Sequence, residues 1–270
     1  MLRLMCPPTY FDIEYSINPW MDINNKVNKE LAHQQWNNLV NVLRELGDEI
    51  EFIQPALGLP DMTFSGDPGL VYNNCFIPSN FRAKERVGEV KHYINWFRER
   101  NYAIKQMPPD VFFEGLGDVV FHHNLAIVGH GCRSDERAIE YLKQFIPALK
   151  ILGDLKILDD HYFHLAMALG FIDDETVLYY PPAFDEASSE RLQTMVKHPI
   201  AVSDEDANLY FACNNLVIGD TVLLDNCTEG LRTALAERGY KARTCAMSEF
   251  KKSGGSLRCL VLSFISEPEL

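Results

Sequence analysis

Apolar positions along this chain alternate between two rhythms. Short apolar runs come in pairs, and a stretch of helical spacing follows most pairs. Gly69–Tyr72 and Cys75–Ile77 read as one strand pair. Asp118–Phe121 and Leu125–Val128 read as a second, followed by a helix over Asp135 to Phe145. Phe163–Leu169 and Thr176–Tyr180 make a third, with a helix over Ser188 to Val196 behind it. Leu209–Ala212, Leu216–Ile218 and Thr221–Leu224 precede a helix over Glu229 to Arg238. Leu257 to Ile265 closes the series, with Leu260 to Phe264 as a buried strand. The best-marked helix spans Asn28 to Leu46. There Trp36, Leu39, Val40, Leu43 and Leu46 make one apolar face, and Gly47 follows as a stop signal. Other helices end ahead of extended stretches at Arg100–Tyr102, Pro147–Leu149 and Arg238–Tyr240. The unit is strand, strand, helix, strand, and its period of roughly 50 residues predicts a radial repeat, not a doubly wound sheet. No low-complexity segment or Gly/Ser linker interrupts it, which predicts one domain over residues 1–270.

Composition narrows the function classes. With 38 acids against 25 bases the net charge is −13, which argues against nucleic acid as partner and is compatible with a cationic substrate, although many proteins are acidic for solubility alone. Seven cysteines lie far apart with no C-x-x-C pair, so a structural zinc site is not expected. Odd, scattered thiols predict a reducing, cytoplasmic setting. Met1–Met5 is too short for a signal-peptide core and runs into Pro7-Pro8. No apolar stretch approaches the ~20 residues of a membrane helix. No metal, cofactor or membrane partner is therefore expected, and homo-oligomerisation is left open.

Three segments carry candidate chemistry. Cys259 follows Gly254-Gly255, which permits a tight turn, and it adjoins the cation Arg258, a setting that can activate a thiol. Alone, such a cysteine is more often a small buried hydrophobe. In Phe112–Val120, Glu114 and Asp118 stand four apart with glycines between, so both acids can face one cleft; the plainer reading is a polar turn. His164 sits inside the apolar run Phe163–Leu169, where a buried ring needs partners, although a satisfied core histidine is the commoner case. His161 falls on the opposite side of a bend from His164, and the hairpin pair His122-His123 reads as solvated and not a metal site.

Taken together, F-E-G-x-G-D, then F-H-L, then G-G-x-x-x-C ahead of the last strand resemble the guanidino-group-modifying superfamily, the penteins. Met5–Pro8 and Tyr15–Met21 look most like its arginine dihydrolase and amidinotransferase-like branch. The resemblance covers nearly the whole chain. It implies an α/β fold, a five-bladed propeller of ββαβ units around a central channel. It implies Cys259 as nucleophile, His164 as general acid/base, and Glu114 or Asp118 as the carboxylate that orients the histidine or grips the guanidinium. Asp67 matches a second guanidinium-binding acid, Arg86 and Arg133 match arginines that bind a substrate carboxylate, and Asn18 matches a pocket asparagine. The implied activity is hydrolysis of a C–N bond in a guanidino or amidino compound through a thiouronium on Cys259. An amidinotransferase with an amine acceptor and a non-catalytic binding member are the alternatives. Two positions depart from the pattern. Ala166 stands where arginine deiminases and amidinotransferases carry an acid two residues after the histidine; dimethylarginine dimethylaminohydrolases also lack it. Asp67 stands where arginine dihydrolases are expected to carry asparagine.

Overall fold

The computed structural model describes residues 1–266. Strands β3 (Gly69–Tyr72) and β4 (Cys75–Pro78) form an antiparallel hairpin. The helix Val87–Glu99 then crosses over, and β5 (Ala103–Ile104) returns parallel to β4. A parallel return needs such a crossover, and a helix supplies it with its own backbone bonds satisfied.

The order recurs. β6 (Val119–His122), β7 (Leu125–His130), the helix Ala138–Phe145 and β8 (Lys150–Lys156) make the next unit. β9 (Leu169–Phe171), β10 (Thr176–Tyr179), the helix Glu186–Met195 and β11 (His198–Ala201) make another. β12 (Leu216–Ile218), β13 (Thr221–Leu224), the helix Glu229–Ala236 and β14 (Lys241–Thr244) follow. The last unit is assembled from both ends of the chain. β15 (Leu262–Ile265) pairs antiparallel with β1 (Leu2–Met5), the helix Lys29–Glu45 crosses over, and β2 (Glu49–Phe52) lies parallel to β1. β15 also runs beside β3, which joins two units into one six-stranded sheet; the other three sheets have three strands each. The architecture is α/β.

Burial explains the pattern of strands. The leading strands β3 and β9 are buried at every position, whereas β2, β11 and β14 have exposed ends. Continuous apolar runs therefore mark the inside and mixed runs the outside. The helix Lys29–Glu45 buries Ala32, Trp36, Leu39, Val40 and Leu43. Its N-terminus is capped by Asn28, whose Oδ1 accepts from Leu31 N at 3.1 Å, and Gly47 at φ +97° ends it.

Four stretches differ from the sequence expectation, and in one way. Phe163–Leu169 is not a strand: Leu165–Ala168 is a single helical turn, and β9 starts at Leu169. Leu, Ala and Met are good helix formers, and a short apolar run does not distinguish the two states. Asp118 ends the turn Gly115–Asp118 instead of opening a strand. Leu209–Ala212 leaves a π-helical stretch, Glu205–Leu209, with Phe211 at φ +50°. Cys259 lies in the 3-10 turn Arg258–Leu260, ahead of β15. A short helical turn thus precedes the inner strand, and it is these turns that carry the polar residues of interest. Among the described residues no helix is long and apolar enough to cross a membrane, and the seven cysteines are free thiols.

Candidate active site

The turns ahead of the inner strands converge on one buried cluster. His164 precedes the turn Leu165–Ala168 and is 1 % exposed. Its Nε2 lies 2.8 Å from Glu114 Oε2, so Glu114 is the acid paired with it. Its Nδ1 faces Asp67 Oδ1 at 3.8 Å, and neither atom has a hydrogen-bond partner. Burial disfavours the imidazolium, but the charges of Asp67, Glu114 and Asp118 outweigh it and raise the His164 pKa. Burial alone would raise Glu114; the hydrogen bond and charge of His164, with Arg133 and Arg86, instead hold it down at about 2.

Cys259 is 5 % exposed. Its thiol is pushed up to about 12, first by burial and then by the Asp67 carboxylate, against weaker opposing pulls that include Asn214 and Arg86. At neutral pH the thiol keeps its proton, and a cation arriving beside it would favour the thiolate. Asn214 was not singled out in the sequence. Its Nδ2 donates to Cys259 Sγ at 3.3 Å and to the Ala166 carbonyl at 2.9 Å. Its Oδ1 accepts from Arg258 N at 2.9 Å and Cys259 N at 3.4 Å. One side chain thereby ties the cysteine turn to the histidine turn. Its only sequence signal was a polar pair, Asn214-Asn215, inside an apolar stretch.

The remaining predicted residues fall into two groups. Asn18, Asp67, Arg86 and Arg133 line the pocket with Cys259. Asp118 does not; it accepts from Ser134 Oγ at 2.6 Å and Leu165 N at 3.0 Å, and so braces the histidine turn from outside. Arg86 is committed to acids: Nη1 donates to Asp67 Oδ2 at 2.6 Å, and Nε and Nη2 each donate to Glu89 at 2.9 Å. Burial raises Glu89 to about 7 against the pull of Arg86. Arg133 Nη2 donates to the Ile17 carbonyl at 2.6 Å, and its guanidinium lies over the Phe163 ring. Asp61 also lines the pocket; Oδ2 accepts from Tyr15 OH at 2.8 Å, while Oδ1 is buried without a partner. No sequence pattern marked Asp61.

The pocket is narrow, with room of ≈ 20 Å³, about one water. Asn18 Nδ2 donates to the Ser253 carbonyl across it at 3.1 Å, and Trp20 Nε1 donates to the His161 carbonyl at 2.8 Å. Among the described residues, two groups outside the pocket offer metal-ligand atoms within 4.8 Å of one another, His122–His123–Asp174 and His130–Glu136–Asp154. In the first, both rings already hydrogen-bond Asp174, at 2.7 and 3.2 Å.

Two glycines of F-E-G-x-G-D are sterically required. A Cβ on Gly115, at φ +55°, would meet the backbone of Asp67 and Gly69 at 2.5–2.7 Å. A Cβ on Gly117 would lie 2.8 Å from the His164 ring. Gly117→Ala is therefore expected to displace the imidazole; if His164 is the acid/base that the resemblance implies, kcat/KM falls by about 100-fold, since misplacing a reacting group by about 1 Å costs that much. Steady-state kinetics beside a thermal melt checks it: activity should fall while the protein stays folded.

Comparison with known proteins shows the family. The sequence pattern of N,N dimethylarginine dimethylhydrolase, eukaryotic, matches residues 9–266. The bifunctional arginine dihydrolase/ornithine cyclodeaminase ArgZ of Synechocystis sp. is 34 % identical over 99 % of this chain, which spans 38 % of that longer protein. The N(G),N(G)-dimethylarginine dimethylaminohydrolase of Mycobacterium tuberculosis is 33 % identical, over 96 % of this chain and 84 % of its own length. The crystal structure of the N-terminal domain of ArgZ, a cysteine-to-serine mutant bound to substrate, superposes with a TM-score of 0.93 and 32 % identity, covering 98 % of both chains. The buried cysteine, the carboxylate-paired histidine and the matching sequence pattern lead to one assignment: this chain belongs to the N,N dimethylarginine dimethylhydrolase family of eukaryotic type.

Proposed function

We propose that the protein hydrolyses a C–N bond of a guanidino compound of the arginine or methylated-arginine class, with Cys259 as nucleophile. One observation carries this reading. Asp67 Oδ1 and His164 Nδ1 are buried, unpartnered and 3.8 Å apart, beside the thiol that the same carboxylate disfavours as an anion. A guanidinium answers all three needs: its N–H groups suit Asp67, its charge lowers the thiol pKa, and its carbon is electrophilic.

The steps follow from the residues. Cys259 loses its proton to solvent as the cation binds, and Sγ attacks the guanidinium carbon. The carbon–nitrogen bond to the leaving amine breaks as His164 gives that nitrogen a proton, leaving a thiouronium on Cys259. The neutral imidazole then takes a proton from water, and the hydroxide adds to the same carbon. Collapse expels the Cys259 thiolate and leaves a ureido product. Glu114 holds the ring and favours its protonated form before the amine departs.

Arg86 is read here as setting Asp67, because its donors are taken by Asp67 and Glu89. Arg133, on the pocket wall, is the better candidate for a substrate carboxylate, with Asn18 at the mouth. The five ββαβ units, and β15 lying beside β3, support closure of the chain into a single-domain five-bladed propeller. The free thiols fit a cytoplasmic setting.

The test is incubation with arginine, methylated arginines and agmatine, with assay of ureido product and released amine or ammonia. Labelling by chloroacetamidine should outpace iodoacetamide, because only the amidine brings its own cation. No turnover of any substrate, together with an unreactive Cys259, would sink the proposal. Adding glycine, lysine or ornithine and looking for an amidinated product separates a transferase from a hydrolase.

Asp67→Asn separates two roles of one carboxylate. Loss of its charge-assisted hydrogen bonds, worth about 1.5–3 kcal/mol, should lower kcat/KM by about 10–100-fold. The same change removes the charge that raises the thiol, so alkylation by neutral iodoacetamide should become faster at fixed pH. If both rates fall together, Asp67 has only a packing role.

A further inference from the structure

A wider cavity than this pocket lies elsewhere in the molecule. It holds ≈ 1140 Å³, and Arg3, Phe121, Thr176 and Arg258 are among the residues that line it. Such a volume suits a metabolite-sized ligand. Arg258 and Cys259 are neighbours on one 3-10 turn, yet Cys259 faces the narrow pocket and Arg258 the wide cavity. That turn is a wall between the two.

Arg258 is 7 % exposed, and its Nε and Nη2 have no hydrogen-bond partner. No carboxylate ion-pairs with it among the described residues. The cavity's other buried cation is differently placed: Arg3 Nε donates to Asp48 at 2.5 Å and Nη1 to Ser263 at 2.6 Å. The Phe121 ring, 5.3 Å from the Arg258 guanidinium carbon, offsets only part of the lost hydration. Burial, with Arg3 nearby and against the partial pull of Cys259, lowers the Arg258 pKa to about 10, so the group is still charged at neutral pH. A buried, charged, unpaired guanidinium is costly unless something completes it. The two unpartnered atoms, Nε and Nη2, form the side-on fork that matches two oxygens of one carboxylate or phosphate; both are closed off from solvent, so an anion in the cavity reaches them only as the side chain turns toward it.

We propose that the wide cavity binds a small oxyanion, a carboxylate or a phosphate, seated bidentate on Arg258. Asp173, Asp174, Glu175 and Glu237 also line the cavity, opposite Arg238 as well as Arg3 and Arg258, so its walls carry both signs of charge. They select a ligand of low net charge, and a zwitterionic amino acid fits better than a polyanion. This site is separate from the chemistry proposed for Cys259.

Calorimetric titration of the full chain in low-chloride buffer with acetate, inorganic phosphate and glycine tests it. At least one should bind, and both Arg258→Met and Arg258→Lys should weaken it by at least about tenfold, the lysine variant because it keeps the charge and loses the fork. Glycine binding more tightly than phosphate supports the zwitterion; phosphate alone binding supports the site and replaces the ligand class. If either variant does not fold, phenylglyoxal labelling of Arg258 in the wild-type protein, followed by mass spectrometry, should be slowed by the same anion. No binding by about 10 mM, affinity unchanged in the variants, or unprotected labelling would each overturn the assignment.

Discussion

Cys259→Ser is expected to lower turnover of a guanidino substrate by about 10³-fold or more, with the fold intact. The buried thiol already titrates high, at about 12, and a hydroxyl in its place would ionise far less readily. A cation beside Cys259 can still draw out a thiolate; beside a serine it cannot reach an alkoxide near neutral pH. The hydroxyl remains small enough to accept from Asn214, so stability should change by less than about 1 kcal/mol. Single-turnover kinetics and intact mass after chloroacetamidine treatment check both halves: no covalent adduct should form. Residual activity within tenfold of wild type would remove the covalent mechanism.

Glu114→Gln should cost about 10²–10⁴-fold in kcat, the range of general acid–base catalysis, because the amide holds the His164 ring without favouring its charge. Glu114 is one of the carboxylates that raise the His164 pKa, so its loss lowers that pKa. The alkaline limb of the kcat profile, where the imidazolium disappears, should therefore move to lower pH. Stability gives an independent sign. The Glu114 carboxyl sits at about 2 in the folded protein, below its ordinary 4.5. A depressed carboxylate contributes stability that is fully present above the unfolded value and is lost as pH falls through the folded one. Between pH 4.5 and about 2, wild type should lose stability through this group, and the glutamine variant should lack that component. Urea unfolding across that window measures it. An unmoved kcat profile would mean that another group sets the histidine.

Much of the fold was legible because each unit states its own pattern. Strand β3 to β4, β6 to β7 and β12 to β13 were marked by paired apolar runs, and the helix Lys29–Glu45 by one apolar stripe with a cap and a glycine stop. These signals are local: burial on one face or two, and the backbone freedom of a few residues. The short turns were not legible. Phe163–Leu169 and the closing stretch Leu257 to Ile265 read as extended because an apolar run of a few residues carries no period long enough to separate a helical turn from extended chain. The turn at Leu165 is held by a hydrogen bond to Asp118, forty-seven positions away, which no local pattern encodes.

The site divides along the same line. The sequence by itself determined the types of residue needed, a thiol, an imidazole and carboxylates on segments with glycines around them, since those follow from the chemistry of a planar cation. Only the tertiary structure decided their partners. Glu114 and not Asp118 pairs with His164, Asn214 ties the cysteine turn to the histidine turn, and Arg86 is spent on Asp67 and Glu89. The physical reason is distance along the chain. Residue type sets what a group can do, but which buried charges and donors lie within about 3 Å of it depends on how separate units pack, and burial turns those few contacts into the pKa shifts that decide the roles.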